Sequence, residues 1–150
     1  MSNDVIAVLN DLIETCKDGE YGFRASADHV LRPELRSLFE LRADECALSA
    51  REPQGHVIDL GGEPETGGST LGAVHRGWVA ARGTLVKHSD LAMLEECERG
   101  EDAALDRYRT ALASGVLPES LLPIVRRQMA GVQRNLDQIK QLRDKLRESQ

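Results

Sequence analysis

Aromatic residues are scarce in this 150-residue chain, which contains one Trp, two Tyr and two Phe. Residues with branched β-carbons are also few, with ten Val, five Ile and five Thr against twenty Leu and fifteen Ala. Leu and Ala lose little conformational entropy in a helix, so this balance favours helices over sheets. The composition therefore predicts an all-α protein and argues against an all-β sandwich or barrel. The length predicts a single domain, residues 1–150, with an ordinary hydrophobic core.

The chain also lacks an excess of positive charge, because 19 Lys and Arg residues stand against 25 Asp and Glu residues. Binding to nucleic acid needs clustered basic residues and aromatic rings for stacking, so we expect no nucleic-acid partner. No apolar run approaches the roughly 20 residues that span a bilayer, and the first residues show no export signal. The odd number of cysteines, three, suits a reducing compartment. We therefore expect a cytoplasmic protein that does not associate with membranes.

Apolar residues recur every three or four positions in four long stretches, which predicts four helices of roughly 24–30 residues each. The first stretch ends near Val30, and Pro33 suits the first turn of the second helix. Gly61 is expected to end the second helix, and Pro53 to kink or shorten it.

The third long helix is predicted to begin at Ser89 and to end at Gly115, and the fourth to follow Pro118. Residues 61–89 form a glycine-rich connection with a shorter predicted helix near 70–86. If this connection travels the length of a four-helix bundle, the second and third long helices are parallel. The alternative is an up-and-down bundle in which residues 70–86 lengthen the third helix. The length of the connection at residues 61–89 favours the crossover.

An octapeptide occurs twice, at residues 13–20 and 94–101. Both copies carry Glu, Cys, Gly and Glu at the second, fourth, seventh and eighth positions. Because the copies lie at equivalent points of two predicted helices, the chain is interpreted as a duplicated helical hairpin.

The last glutamate of each repeat copy, together with one glutamate of the second helix, is predicted to lie on an inward face. Glu20 and Glu101 share a face with apolar residues of their hairpins, and Glu45 lies near the middle of the second helix. We expect these three carboxylates to converge at one level of the core. A buried group of this kind must be hydrogen-bonded, protonated, paired with Arg42 or neutralised by a metal ion.

Residues 16–20 (Cys-Lys-Asp-Gly-Glu), 75–78 (His-Arg-Gly-Trp) and 96–102 (Glu-Cys-Glu-Arg-Gly-Glu-Asp) resemble a bacterial family of ferritin-like proteins of unknown function. The resemblance implies a ferritin-like four-helix bundle with a long, helix-containing crossover between its second and third helices. In the wider superfamily, two single Glu residues and two Glu-x-x-His motifs hold a di-iron or di-manganese centre.

By this resemblance, Glu20 and Glu101 match the two single-Glu positions. The nearest equivalents of the Glu-x-x-His motifs begin at Glu45 and Gln133. Both end in Leu, at Leu48 and Leu136, where the superfamily has His. The resemblance therefore implies that a conventional ferroxidase centre is absent.

Four further residues are candidates for a functional role, although a structural role is the expectation for each. Cys16, Cys46 and Cys97 are expected to pack in the core, and the alternative is a Cys16–Cys97 disulfide or soft-metal pair. His75 is expected to pack against the bundle beside Trp78, and the alternative is a role as a metal ligand.

Two functions follow from these observations. In the first, the chain is a ferritin-like scaffold that acts through protein interaction or as a homo-oligomer, most simply a dimer, and has no certain cofactor. In the second, Glu20, Glu45 and Glu101 bind iron or manganese, and the protein handles metal or peroxide. The leucines at the histidine positions favour the first function, and the repeated inward glutamate favours the second.

Overall fold

The structure, a computed structural model, describes residues 2–69 and 89–149. These residues form four helices and no strands: α1 (Ser2–Ala27), α2 (Pro33–Asp59), α3 (Asp90–Ala113) and α4 (Leu122–Glu148). The all-α prediction is confirmed for this part of the chain. Within it, no helix has the length and apolar character needed to cross a membrane. The helix predicted near 70–86, with His75, lies outside the described residues.

The ends of the helices follow the capping signals in the sequence. Pro33 is the first residue of α2, where its missing N–H costs nothing. The Ser89 hydroxyl accepts a hydrogen bond from the Ala92 N–H at the start of α3. Gly61 and Gly115 adopt φ values of 81° and 70° just after α2 and α3, a conformation that glycine takes at little cost.

The directions of the helices follow from the side chains that meet between them. Cys16 of α1 contacts Tyr108 near the end of α3, whereas Ser26 of α1 lies beside Cys97 near the start of α3. These two helices are therefore antiparallel.

The short turn after α1 also makes α2 antiparallel to α1, because Gly19 lies against Cys46 whereas Ile6, near the start of α1, lies against Gly62 just after the end of α2. It follows that α2 and α3 are parallel.

The connection between α2 and α3 is consistent with this arrangement. Its first residues run back along α1, where Asn10 bonds to the backbone of 63–65 and Asp18 bonds to Ser69. The start of α3 lies at the other end of the molecule, where the Asp90 carboxylate accepts hydrogen bonds from the backbone N–H groups of Leu31 and Arg32. Parallel second and third long helices were predicted for a crossover connection.

The buried apolar residues form two clusters along the helices. The first lies where α1 begins and α2 ends, and it includes Leu9, Leu12, Ile13, Ala50, Val57, Leu105, Tyr108, Val132 and Leu136. The second lies beside the α1–α2 turn, and it includes Phe23, Val30, Phe39, Ala43, Met93, Leu94, Cys97 and Ile139.

Candidate functional site

Glu101 of α3 lies in the interior between the two hydrophobic clusters and is only 3% exposed. Its Oε2 atom accepts a hydrogen bond from Arg42 Nη2 at 3.2 Å and one from Asn135 Nδ2 at 2.8 Å. Arg42 belongs to α2 and Asn135 to α4, so these three side chains join three helices. We call Arg42, Glu101 and Asn135 the polar layer. The sequence placed Glu101 inward correctly, because Cys97 and Leu105 lie one turn away on the same face.

The two charges of the polar layer compensate for each other's burial. Burial raises the pKa of the Glu101 carboxyl above its ordinary value, although Arg42 and Asn135 act in the opposite direction. Burial lowers the pKa of the Arg42 guanidinium, but the Glu101 carboxylate and nearby acidic groups raise it by more. Arg42 Nε has no hydrogen-bond partner in the described part of the chain. The pair is therefore buried and in contact, but its hydrogen bonding is incomplete.

The other two predicted carboxylates lie at the edges of the interior. The side chain of Glu45 is 54% exposed, and its Oε1 lies 3.9 Å from Arg42 Nη1. The side chain of Glu20 is 14% exposed and pairs within α1, 3.2 Å from Lys17 Nζ and 3.7 Å from Arg24 Nη2. Of the three predicted carboxylates, one is fully buried, a second reaches the same guanidinium from the surface, and the third has basic partners on its own helix.

The expected Glu-x-x-His positions also differ from a metal-binding arrangement. Leu48 is 58% exposed and Leu136 is buried, while Gln133 donates a hydrogen bond to Asp137 of its own helix at 3.0 Å. Across residues 2–69 and 89–149, no group of three or more His, Cys, Asp or Glu residues is placed to hold a metal ion. The side chains described around Glu101 therefore do not fit a di-metal centre of four carboxylates and two histidines. Metal binding by this chain stays a prediction.

The three cysteines are buried free thiols. Cys16 Sγ lies 3.4 Å from Tyr108 Oη, whereas Cys97 lies beside Ser26 near the other end of α3, so the alternative Cys16–Cys97 pair is not formed. Burial raises the pKa of all three thiols, to about 12 for Cys97. A thiol held protonated in this way is a poor nucleophile and a poor metal ligand, which supports the core-packing interpretation.

A second buried network joins all four helices and was not predicted. Pro53 lies inside α2 and has no N–H to donate to the Ser49 carbonyl one turn earlier. Gln128 Nε2 of α4 donates to that carbonyl at 2.9 Å instead. The Tyr108 hydroxyl of α3 donates to Gln128 Oε1 at 3.0 Å and contacts Cys16 of α1. The position of Pro53 indicates that the Ser49 carbonyl lacks an intrahelical N–H donor, but the sequence does not predict that Gln128 replaces it.

A cavity of about 560 Å³ lies between α1 and α3. Its walls include the small residues Gly19, Gly22, Gly100, Ala103 and Ala104. The two glycines of the internal repeat, Gly19 and Gly100, thus line one cavity. Glu96, a buried carboxylate that sequence reasoning missed, also lines the cavity and pairs with Arg99 at 2.6 Å.

The profile of a protein family described as a domain of unknown function (DUF2383) matches residues 4–114. The chain belongs to this family. The DUF2383 match spans α1, α2 and α3, and therefore includes Arg42 and Glu101 but not Asn135 or Gln128 of α4. Among curated proteins, none matches the chain.

Proposed function

We propose that this DUF2383 protein is a ferritin-like scaffold without a conventional ferroxidase centre, which acts through protein interaction or self-association. The support for the ferritin-like architecture is the pair of helical hairpins with parallel α2 and α3. The three free thiols are in keeping with a reducing, cytoplasmic location.

One observation carries the proposal. The buried carboxylate of Glu101 already has a cation, the guanidinium of Arg42, at 3.2 Å. In a metal centre, that negative charge would be neutralised by the metal ion. An arginine in contact with the carboxylate supplies the same neutralisation from within the chain, so the centre needs no metal to be stable.

The outer face of α2 supplies a surface for self-association. Leu41 and Leu48 are 59% and 58% exposed and lie seven residues apart, on the same side of the helix. We propose that this leucine pair contacts a second copy of the chain in a dimer.

Two measurements test the proposal. Protein purified without chelator and loaded with Fe(II) or Mn(II) is analysed for metal content, beside the Glu20→Gln and Glu101→Gln variants. The proposal expects no stoichiometric metal in any of them. Metal that is bound by the wild type and lost in both variants would establish the alternative function, metal binding through Glu20, Glu45 and Glu101.

Self-association is measured by light scattering coupled to size-exclusion chromatography. The proposal expects a dimer for the wild type and a monomer for the Leu41→Glu, Leu48→Glu double variant. The matched control is Leu31→Glu, which changes a leucine of similar exposure, 57%, at the α1–α2 turn. A wild-type monomer, or a dimer that survives the double substitution, would remove the self-association part of the proposal.

A further inference from the structure

The polar layer differs from a metal centre because the cation in contact with its buried carboxylate is a guanidinium. The side chain of Arg42 is only 11% exposed, although arginine is a residue that is almost never fully buried without a partner. Its guanidinium lies between the inner carboxylate of Glu101 and the outer carboxylate of Glu45. Asn135 of α4 donates a hydrogen bond to the inner carboxylate. The guanidinium of Arg42 is therefore surrounded as a bound cation would be, and the aliphatic part of the Arg42 side chain is the tether that joins it to the main chain.

We propose that Glu101, Asn135 and Glu45 form a binding pocket for a planar guanidinium cation, and that Arg42 is its built-in ligand. This inference rests on the proposed function in one respect, the use of Arg42 as the counter-ion of Glu101. It goes further in assigning the pocket a ligand class. A guanidinium presents N–H groups in one plane to a carboxylate, whereas Mg²⁺ or Mn²⁺ needs several oxygen ligands around a point charge.

The geometry described above favours the planar cation. The inner carboxylate of Glu101 and, at 3.9 Å, the outer carboxylate of Glu45 are the described carboxylates that face the guanidinium. A divalent metal ion held by these two groups would have to keep most of its water ligands inside the core. The Asn135 amide donates its N–H to the inner carboxylate, so it acts as a support for Glu101 and not as an oxygen ligand. The two buried thiols nearby, Cys16 and Cys46, have raised pKa values and stay neutral beside the cation.

Removal of the tether tests the assignment. In the Arg42→Gly variant, the pocket keeps Glu101, Asn135 and Glu45 but loses the cation. We expect millimolar guanidinium chloride, far below denaturing concentrations, to raise the thermal midpoint of this variant, as followed by far-UV circular dichroism. At ten times the dissociation constant, the folded-to-unfolded ratio is expected to rise about tenfold. Equal concentrations of tetramethylammonium chloride, which has the same charge but no N–H group, are expected to have no such effect.

Two control proteins separate pocket binding from general salt effects. The wild type is expected not to respond, because its pocket is filled. The Arg42→Gly, Glu101→Gln double variant is also expected not to respond, because the carboxylate that binds the cation is gone. A response of equal size in the double variant would overturn the proposal. So would a lack of response in a folded Arg42→Gly variant.

Manganese distinguishes failure of this inference from failure of the proposed function. Mn²⁺ that stabilises Arg42→Gly as well as guanidinium does would show a general cation site and overturn the inference. Mn²⁺ bound stoichiometrically by the wild type would instead overturn the proposed function. If Arg42→Gly does not fold even with guanidinium, nitrogen-15 spectra of the wild type decide. Separate, slowly exchanging signals for the two Arg42 Nη groups are expected of a held guanidinium, and one averaged signal would refute the pocket.

Discussion

Arg42 and Glu101 each depend on the other, because either charge alone would be buried without compensation. We expect the single substitution Arg42→Leu to lower the free energy of unfolding by about 3–5 kcal/mol, since it leaves the carboxylate without its cation. The Arg42→Leu, Glu101→Leu double variant is expected to recover most of that loss, because two apolar side chains replace two charges. Urea denaturation followed by circular dichroism measures both.

The matched control for this pair is Arg24→Leu. Arg24 is 46% exposed and pairs with Asp44 at the surface, so its loss is expected to cost less than about 1 kcal/mol. An Arg42→Leu variant as stable as Arg24→Leu would show that the buried pair contributes little.

Gly19 is the second residue whose surroundings make a sharp prediction. An added Cβ there would lie 2.8 Å from Cys46 Sγ, a clash with a buried atom. Gly55, inside the exposed part of α2, has no described atom within 4 Å of the same position. We expect Gly55→Ala to stabilise the protein by about 0.5–1 kcal/mol through helix propensity. Gly19→Ala is expected to lose that gain and about 1–3 kcal/mol more through overpacking.

The cause of the Gly19 effect is checked with a second substitution. Combining Gly19→Ala with Cys46→Ala removes the clashing sulfur, so the alanine at position 19 should become less costly than in the wild-type background. Thermal midpoints of the four proteins give the coupling. Equal costs in the two backgrounds would mean that this contact does not set the need for glycine.

At this scale, helical periodicity predicted which residues lie inside but not how edge residues are oriented. Glu101 was placed correctly, and Arg42 was named as one of its possible counter-ions. Glu45 precedes the buried Cys46 by one residue, which is about 100° around the helix axis, so a small rotation of α2 puts its carboxylate in solvent. The periodicity of one helix does not fix that rotation, because the neighbouring helices determine it.

At the scale of the helix, Pro53 shows how one element is completed by another. The sequence predicts that this proline kinks or shortens α2, yet the helix runs on to Asp59. The Ser49 carbonyl that lost its intrahelical donor receives one from Gln128 of α4. Hydrogen bonding of this carbonyl therefore depends on a side chain about 80 residues away in the sequence, which no local pattern could reveal.

Substitution of Gln128 tests this dependence. Gln128→Leu is expected to cost about 1–3 kcal/mol, because it removes the donor to the Ser49 carbonyl and leaves the Tyr108 hydroxyl with Cys16 as its one described partner. The cost should be smaller in a Pro53→Ala background, since the alanine N–H can bond to the Ser49 carbonyl. A double-mutant cycle from urea denaturation measures the difference. Gln138→Leu, an exposed change on the same helix, is the control and is expected to stay within about 0.5 kcal/mol.

At the scale of the whole molecule, the arrangement of the two hairpins follows more directly from the sequence than the polar contacts do. Nearly equal helix lengths, short turns within each hairpin and a long connection between them were enough to predict parallel second and third helices. The pairing of Gln128 with Ser49 depends on how far one hairpin is shifted along the helix axes relative to the other. That shift results from the packing of all four helices together, so the sequence pattern of any single helix does not predict it.

Burial of the three thiols makes the stability of the protein depend on pH in the alkaline range. Because folding raises the pKa of Cys97 from 9.0 to about 12, its contribution to stability is complete below pH 9 and is lost as the pH rises towards 12. We expect the free energy of unfolding to fall over this interval. The Cys97→Ala variant should show a shallower slope, by up to about 1.4 kcal/mol for each pH unit. Identical slopes for the two proteins would contradict the prediction.

The Asp90 contact at the α1–α2 turn has a consequence for how freely this turn can change. Its carboxylate binds the main-chain N–H groups of Leu31 and Arg32, which every amino acid except proline possesses. Both side chains are exposed. Among the described residues, the only further contribution is a long ion pair, 3.7 Å, between Arg32 Nε and Asp90 Oδ2, and a pair with such an exposed partner contributes little to stability. A library of sequences at these two positions should thus tolerate nearly every residue and reject one imino acid, while position 90 itself accepts little besides aspartate.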